Sequence, residues 1–122
     1  MENSVVTTTC KIMSKVAVVN EINAIRAEII ANRTSSVVNG ITKAAMIAIA
    51  KGKMRGGVCH FVYVKKKNGE LREAFGTLTP ALVEATTTGY GESRERYFTS
   101  AYYDCEKGGW RSFRWETIVK VY

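Results

Sequence analysis

One proline, one histidine and three cysteines in 122 residues leave several kinds of protein without material. A single proline with 46 % hydrophobic residues is not the composition of a disordered linker, and the length gives room for one small globular domain. Cys10, Cys59 and Cys105 are widely separated, and no Cys-x-x-Cys or Cys/His cluster accompanies them. Neither a disulfide framework nor a metal site is expected, no cofactor is implied, and a reducing, cytoplasmic setting fits. His60 lies in an apolar stretch with nothing beside it patterned as an activated nucleophile, so it reads as structural or surface. The acidic residues of the second half, such as Glu73, Glu95, Asp104 and Glu116, are mixed among Lys and Arg, as in solvated ion pairs rather than a carboxylate dyad. No catalytic residue is assigned and no enzyme activity is expected. No apolar run approaches the ~20 residues needed to cross a bilayer, and Met1-Glu2-Asn3-Ser4 does not open a secretory signal, so no membrane association is expected.

What is abundant is positive charge. Eighteen Lys and Arg against eleven Asp and Glu give +7, and residues 51–122 carry thirteen basic and eight acidic groups. Five of the seven excess charges therefore fall in the second part, which favours polyanionic partners.

The pattern changes near Gly56-Gly57. Before it, Ile12, Val16, Val19, Ile22, Ile25 and Ile29 recur at three- and four-residue steps, predicting an amphipathic helix with Ser14 as its cap and the apolar stripe facing a sheet. Residues 32–40, rich in Asn, Ser and Thr, read as a connection, and residues 42–50 as a second, alanine-rich helix ended by Gly52. Residues 5–9, β-branched throughout, read as a short strand or extended arm no less than as helix.

After Gly57 the reading is strands. Residues 58–64 and 71–77 flank Asn68-Gly69, a strong hairpin signal, as either a two-residue turn pairing Lys67 with Glu70 or a bulged turn pairing Lys66 with Glu70. Residues 79–87 read as a short helical turn or irregular crossing, and residues 89–96 as an exposed loop. Gly89-Tyr90-Gly91 lacks the Gly-Lys-Ser or Gly-Lys-Thr ending of a phosphate loop. A second hairpin runs from Tyr97 to Phe113 around Gly108-Gly109, and residues 119–122 supply a fifth strand after a tight turn at Glu116-Thr117. The expected fold class is α+β: a helical pair (residues 1–56) packing on a five-stranded SH3/Sm-like β-barrel (residues 57–122), whose closure removes exposed strand edges. A flat sheet against the helices is the alternative.

Two segments carry a family resemblance: residues 61–69 with Arg72-Glu73-Ala74-Phe75-Gly76-Thr77, and Tyr102-Tyr103-Asp104 with Gly109-Trp110-Arg111-Ser112-Phe113-Arg114-Trp115. Over residues 57–122 the chain resembles the small WYL-like family with an Sm-like SH3 β-barrel, known from gut Bacteroidetes and their phages. The resemblance implies a phage or mobile-element setting, a host-cytoplasmic or virion-associated location, and Arg111 and Arg114 as anion contacts with Phe113 as the core residue between them. Sm-like barrels often assemble through edge strands, which implies a homo-oligomer. No literal Trp-Tyr-Leu occurs, and Thr117-Ile118 stands where a WYL domain usually places an arginine before its isoleucine.

Two functions follow as expectations. The first is a non-enzymatic barrel that binds nucleic acid or nucleotide-like anions, with a regulatory use. Lys65, Lys66, Lys67 and Arg72 around the first turn would neutralise phosphates, as would Arg111 and Arg114, while Trp110 and Tyr102 offer stacking faces. Lys51, Lys53 and Arg55 extend this basic set on the sequence. The second is a protein-interaction or structural module, docking a protein partner through the aromatic hairpin and the helices.

Overall fold

The computed structural model describes residues 21–86 and 94–122. The reading of residues 5–9, the Ser14 cap, the first three stripe residues and the loop at residues 89–93 lie outside them. Helix α1 covers residues 21–34 and α2 runs Val37–Gly56; strands β1 (Val58–Val64) and β2 (Leu71–Thr77) follow, then α3 (Pro80–Thr86). A short 3₁₀ turn at Arg94–Tyr97 leads into β3 (Thr99–Asp104) and β4 (Gly109–Arg114), and a second at Trp115–Thr117 into β5 (Ile118–Val121). The fold is α+β, with helices followed by one five-stranded antiparallel sheet of order β4-β3-β2-β1-β5.

Two expectations, for the connection between the helices and for the end of α2, need correction. The connection expected over residues 32–40 occupies only Ser35 and Ser36. Thr34 Oγ1 donates to the Ile30 carbonyl at 2.8 Å, Ser35 takes a left-handed φ of 56°, and Ser36 caps α2 by accepting from Asn39 N–H at 3.1 Å. The polar composition therefore marks caps rather than a loop. Gly52 does not end α2, which continues to Gly56.

The apolar stripe of α1 meets the core only at Ile29 among its described residues. Ile22 and Ile25 are exposed, whereas Arg26 and Ile30 are buried. The cause is polar: Arg26 Nη2 donates to Glu95 Oε1 at 2.5 Å, and Lys51 Nζ reaches the same oxygen at 2.8 Å. Glu95 also accepts from Ser100 Oγ at 2.7 Å and Trp115 Nε1 at 3.3 Å. One carboxylate thus ties α1 and α2 to the barrel, and the helix rotates to serve it. The helices cross closely where a Cβ added to Gly40 would lie 2.4 Å from the Ala27 carbonyl oxygen.

Both hairpins close by four-residue loops. Lys65 pairs with Glu70, so neither expected turn at Asn68-Gly69 forms; Gly69 N–H donates to the Lys65 carbonyl and Asn68 Oδ1 accepts from Glu70 N–H. In the second loop Gly108 N–H donates to the Asp104 carbonyl, and Asp104 Oδ1 accepts from Glu106 and Lys107 N–H. Gly69 and Gly108 sit at φ 72° and 70°, the left-handed region glycine enters without a Cβ penalty. An Asx-type bond inside a longer loop stabilises it against the two-residue alternative.

A single core joins helices and strands. Ala44, Ile47, Ala50 and Met54 line one face of α2 at three- and four-residue steps, and they meet Cys59, Phe61 and Tyr63 of β1, Tyr102 of β3 and Phe113 of β4. The four rings of Phe61, Tyr63, Tyr102 and Phe113 lie 5.0–6.3 Å apart, within the range where aromatic pairs add to simple burial.

Candidate anion-binding groove

The groove begins where the aromatic core ends. Register places Tyr63 opposite Arg72 and Tyr102 opposite Arg111. The two tyrosine hydroxyls meet at 2.8 Å, and burial, followed by the Tyr63 hydroxyl, pushes the Tyr102 phenol far above its ordinary value. Arg72 and Arg111 are the cross-strand neighbours of this hydroxyl pair.

Two open hollows share Tyr63, Lys66 and Ser112. The first, of about 550 Å³, is lined by Lys65, Lys66, Lys67, Asn68, Arg72 and Arg111 around those residues; the second, of about 400 Å³, by Arg33, Tyr97, Thr99, Phe113, Arg114 and Thr117 among others. Seven cations line them together. Three carboxylates answer: Asp104 holds Arg111 Nε at 2.8 Å, Glu116 holds Arg33 at 2.7 Å and Arg114 at 2.9 Å, and Glu70 approaches Lys65 at 3.8 Å. Burial alone would raise the Asp104 carboxyl, but the N–H groups of Lys107 and Glu106 and the Arg111 guanidinium hold it below the usual range. Arg111 is thus fixed in place. Lys66, Lys67 and Arg72 make no ion pair among the described residues and supply the unbalanced charge.

Of the residues singled out from the sequence, Lys65, Lys66, Lys67, Arg72 and Arg111 come together in one hollow, and Arg114 joins them through the second. Two expected stacking platforms do not. Tyr102 is wholly enclosed because alternation along β3 turns it inward, so its ring has no free face. Trp110 faces the other side of the sheet from Arg111, edge-on to Tyr103, with its indole N–H donating to Thr86 Oγ1 at 3.1 Å. Lys51 is committed to Glu95, and Lys53 donates to the Tyr122 carbonyl, so neither belongs to the groove.

Sequence reasoning missed Arg33, Tyr63, Tyr97, Asn68 and Ser112. Arg33 arrives from α1, and its guanidinium lies 5.3 Å from the centre of the Phe98 ring, whose backbone sits at a left-handed φ of 59°, uncommon for an aromatic residue. Only tertiary packing could reveal it. Tyr63 was legible in principle, since strand alternation sets it on the face of Phe61.

Other chemistry is sparse. Among the described residues no three His, Cys, Asp or Glu side chains stand close enough to hold a metal ion, and no helix is long and apolar enough to cross a membrane. His60 stacks between Phe75 and Tyr122, at 4.3 and 4.1 Å, and lines neither hollow.

A family model described as WYL_2, Sm-like SH3 beta-barrel fold, matches residues 47–119. The match starts within α2 and leaves α1 outside. No curated protein and no solved structure matches the chain. With well over half its length covered by that model, the chain belongs to the WYL_2 family of Sm-like SH3 β-barrels.

Proposed function

We propose that this barrel is a non-enzymatic binding module for nucleic acid or nucleotide-like anions, carried by a phage or mobile element and used in regulation. The observation that supports it most is the unbalanced charge of Lys66, Lys67 and Arg72 beside the fixed guanidinium of Arg111. A phosphate chain laid along the two hollows would meet free lysines at one end and Arg114 and Arg33 at the other. Tyr97, 55 % exposed on the rim of the second hollow, is the ring best placed to stack on a base. Contacts of this kind position a backbone without reading sequence, so single strands of differing sequence should bind alike.

A second reading rests on the helices. Ile22, Ile25, Val38, Ile41 and Ile49 are all exposed on α1 and α2, as a protein-interaction module would require. The edge strands β4 and β5 offer a route to a homo-oligomer. Titration of fluorescent single-stranded and duplex DNA and RNA at two salt concentrations separates the readings. Micromolar binding that weakens with salt supports the anion groove; no binding at low salt overturns it in favour of a protein partner.

A further inference from the structure

We propose a second anion site, separate from the groove: a hollow between α1 and α2 that takes one phosphate-sized oxyanion on Arg26, Lys51 and Arg55. The hollow has a volume of about 90 Å³, several times the roughly 10–15 Å³ one water occupies and well below the ~300 Å³ at which pockets for larger ligands begin. Its polar lining is Asn23 and Arg26 from successive turns of α1 and Lys51 and Arg55, four residues apart, from α2; among the described residues no acidic side chain lines it.

Charge and hydrogen bonding both suit the hollow to an anion. Glu95 accepts from Arg26 and Lys51 but does not line the hollow, so among the described residues three cations are set against one carboxylate. Arg55 has no ion pair among the described residues. Arg26 is 7 % exposed, and its Nε is buried without a hydrogen-bond partner. A buried guanidinium N–H left unpaired is costly, and such donors ordinarily face an acceptor. The Asn23 side-chain oxygen is likewise buried and unpartnered; turning the amide over would offer its NH₂ group instead. Burial pushes the Lys51 ammonium down, and although Glu95 opposes this, the Arg26 and Arg55 charges add to it. A tetrahedral oxyanion would give Arg26 Nε an acceptor, balance the excess charge, and bridge the two helices at their exposed side.

The shared chemistry fits either free orthophosphate or the terminal phosphate of a longer molecule. The test titrates the full chain with sodium phosphate at constant ionic strength, following the Arg26 Nε–H resonance and thermal stability, with sodium chloride as the reference. Three proteins are compared: the parent, Arg55→Gln, and the groove variant Lys66→Gln/Arg72→Gln. Because Arg55 is exposed, its variant should fold. The expected result is a saturable shift specific to phosphate, about tenfold weaker in Arg55→Gln and unchanged in the groove variant. A 5′-phosphorylated oligonucleotide that shifts the same resonance more tightly than phosphate, while its 5′-hydroxyl counterpart does not, would assign the terminal group as the source; equal or weaker action would assign the free ion. A response that fails to saturate, matches chloride, or vanishes only in the groove variant overturns the site.

Discussion

The contact between α1 and α2 yields a prediction in which one substitution has opposite signs at two positions. In Gly40→Ala the new Cβ would lie 2.4 Å from the Ala27 carbonyl oxygen and 3.0 Å from the Ala31 Cβ, where ordinary contact begins near 3.4 Å. The obstacle is helix backbone, so relief requires α1 to move away from α2 by about an ångström, loosening Ile30 and Ile47 beneath. Overpacking of this type costs ~1–3 kcal/mol, and a backbone obstacle puts the cost toward the upper end. Alanine's better helix propensity returns about 1 kcal/mol. The net expectation is a loss of about 1–2 kcal/mol. At Gly52, in the same helix, nothing lies within 4 Å of the added Cβ, and only the gain of ~0.4–1 kcal/mol remains. Urea denaturation followed by circular dichroism would show the midpoint falling for Gly40→Ala and rising for Gly52→Ala with unchanged slope. A Gly40→Ala protein as stable as the parent would refute the close crossing.

Other substitutions probe the links between core and site. Glu95→Gln leaves Arg26 and Lys51 buried without their counter-charge and should cost about 3 kcal/mol at neutral pH. Burial opposes ionisation of Glu95, but Lys51, Ser100 and Arg26 outweigh it and hold the carboxyl below its ordinary 4.5; its contribution is present above that value and lost as pH falls through the lower folded one. Glu95→Gln should therefore show a shallower loss of stability on acidification than the parent, and equal acid limbs in thermal melts would count against the node. Tyr63→Phe strips Tyr102 of its buried hydroxyl partner and should cost ~1–2 kcal/mol in denaturant titration; a neutral outcome would mean the hydroxyl pair adds nothing.

Strand positions were readable because alternation and turn residues act locally: β1 and β2 fall where the apolar runs flanking Asn68-Gly69 end. The loop form was not, since a side-chain bond from Asn68 decides it against the shorter turn. The buried face of α1 departs from its sequence pattern for a non-local reason. A stripe of isoleucines normally marks the core face, yet here Arg26 is drawn in by Glu95, sixty-nine positions away. The candidate site shows the same division. Lysines clustered at one turn were bound to be neighbours, whereas Trp110 and Tyr102 were misplaced because adjacent strand residues face opposite ways and only register says which way is out. Arg33 needed the helix docked before it could be seen at all.

The most direct test of the groove is the salt dependence of its affinity for a single-stranded oligonucleotide, measured by fluorescence anisotropy in the parent and in Lys66→Gln/Arg72→Gln. If at least the three unpaired cations neutralise phosphates, the slope of log K against log salt should be about −2 or steeper, and removing two charges should reduce it by roughly 1.4. A folded variant with the parent's slope and affinity, or a parent that binds nothing at low salt, would contradict the groove as an anion-binding surface.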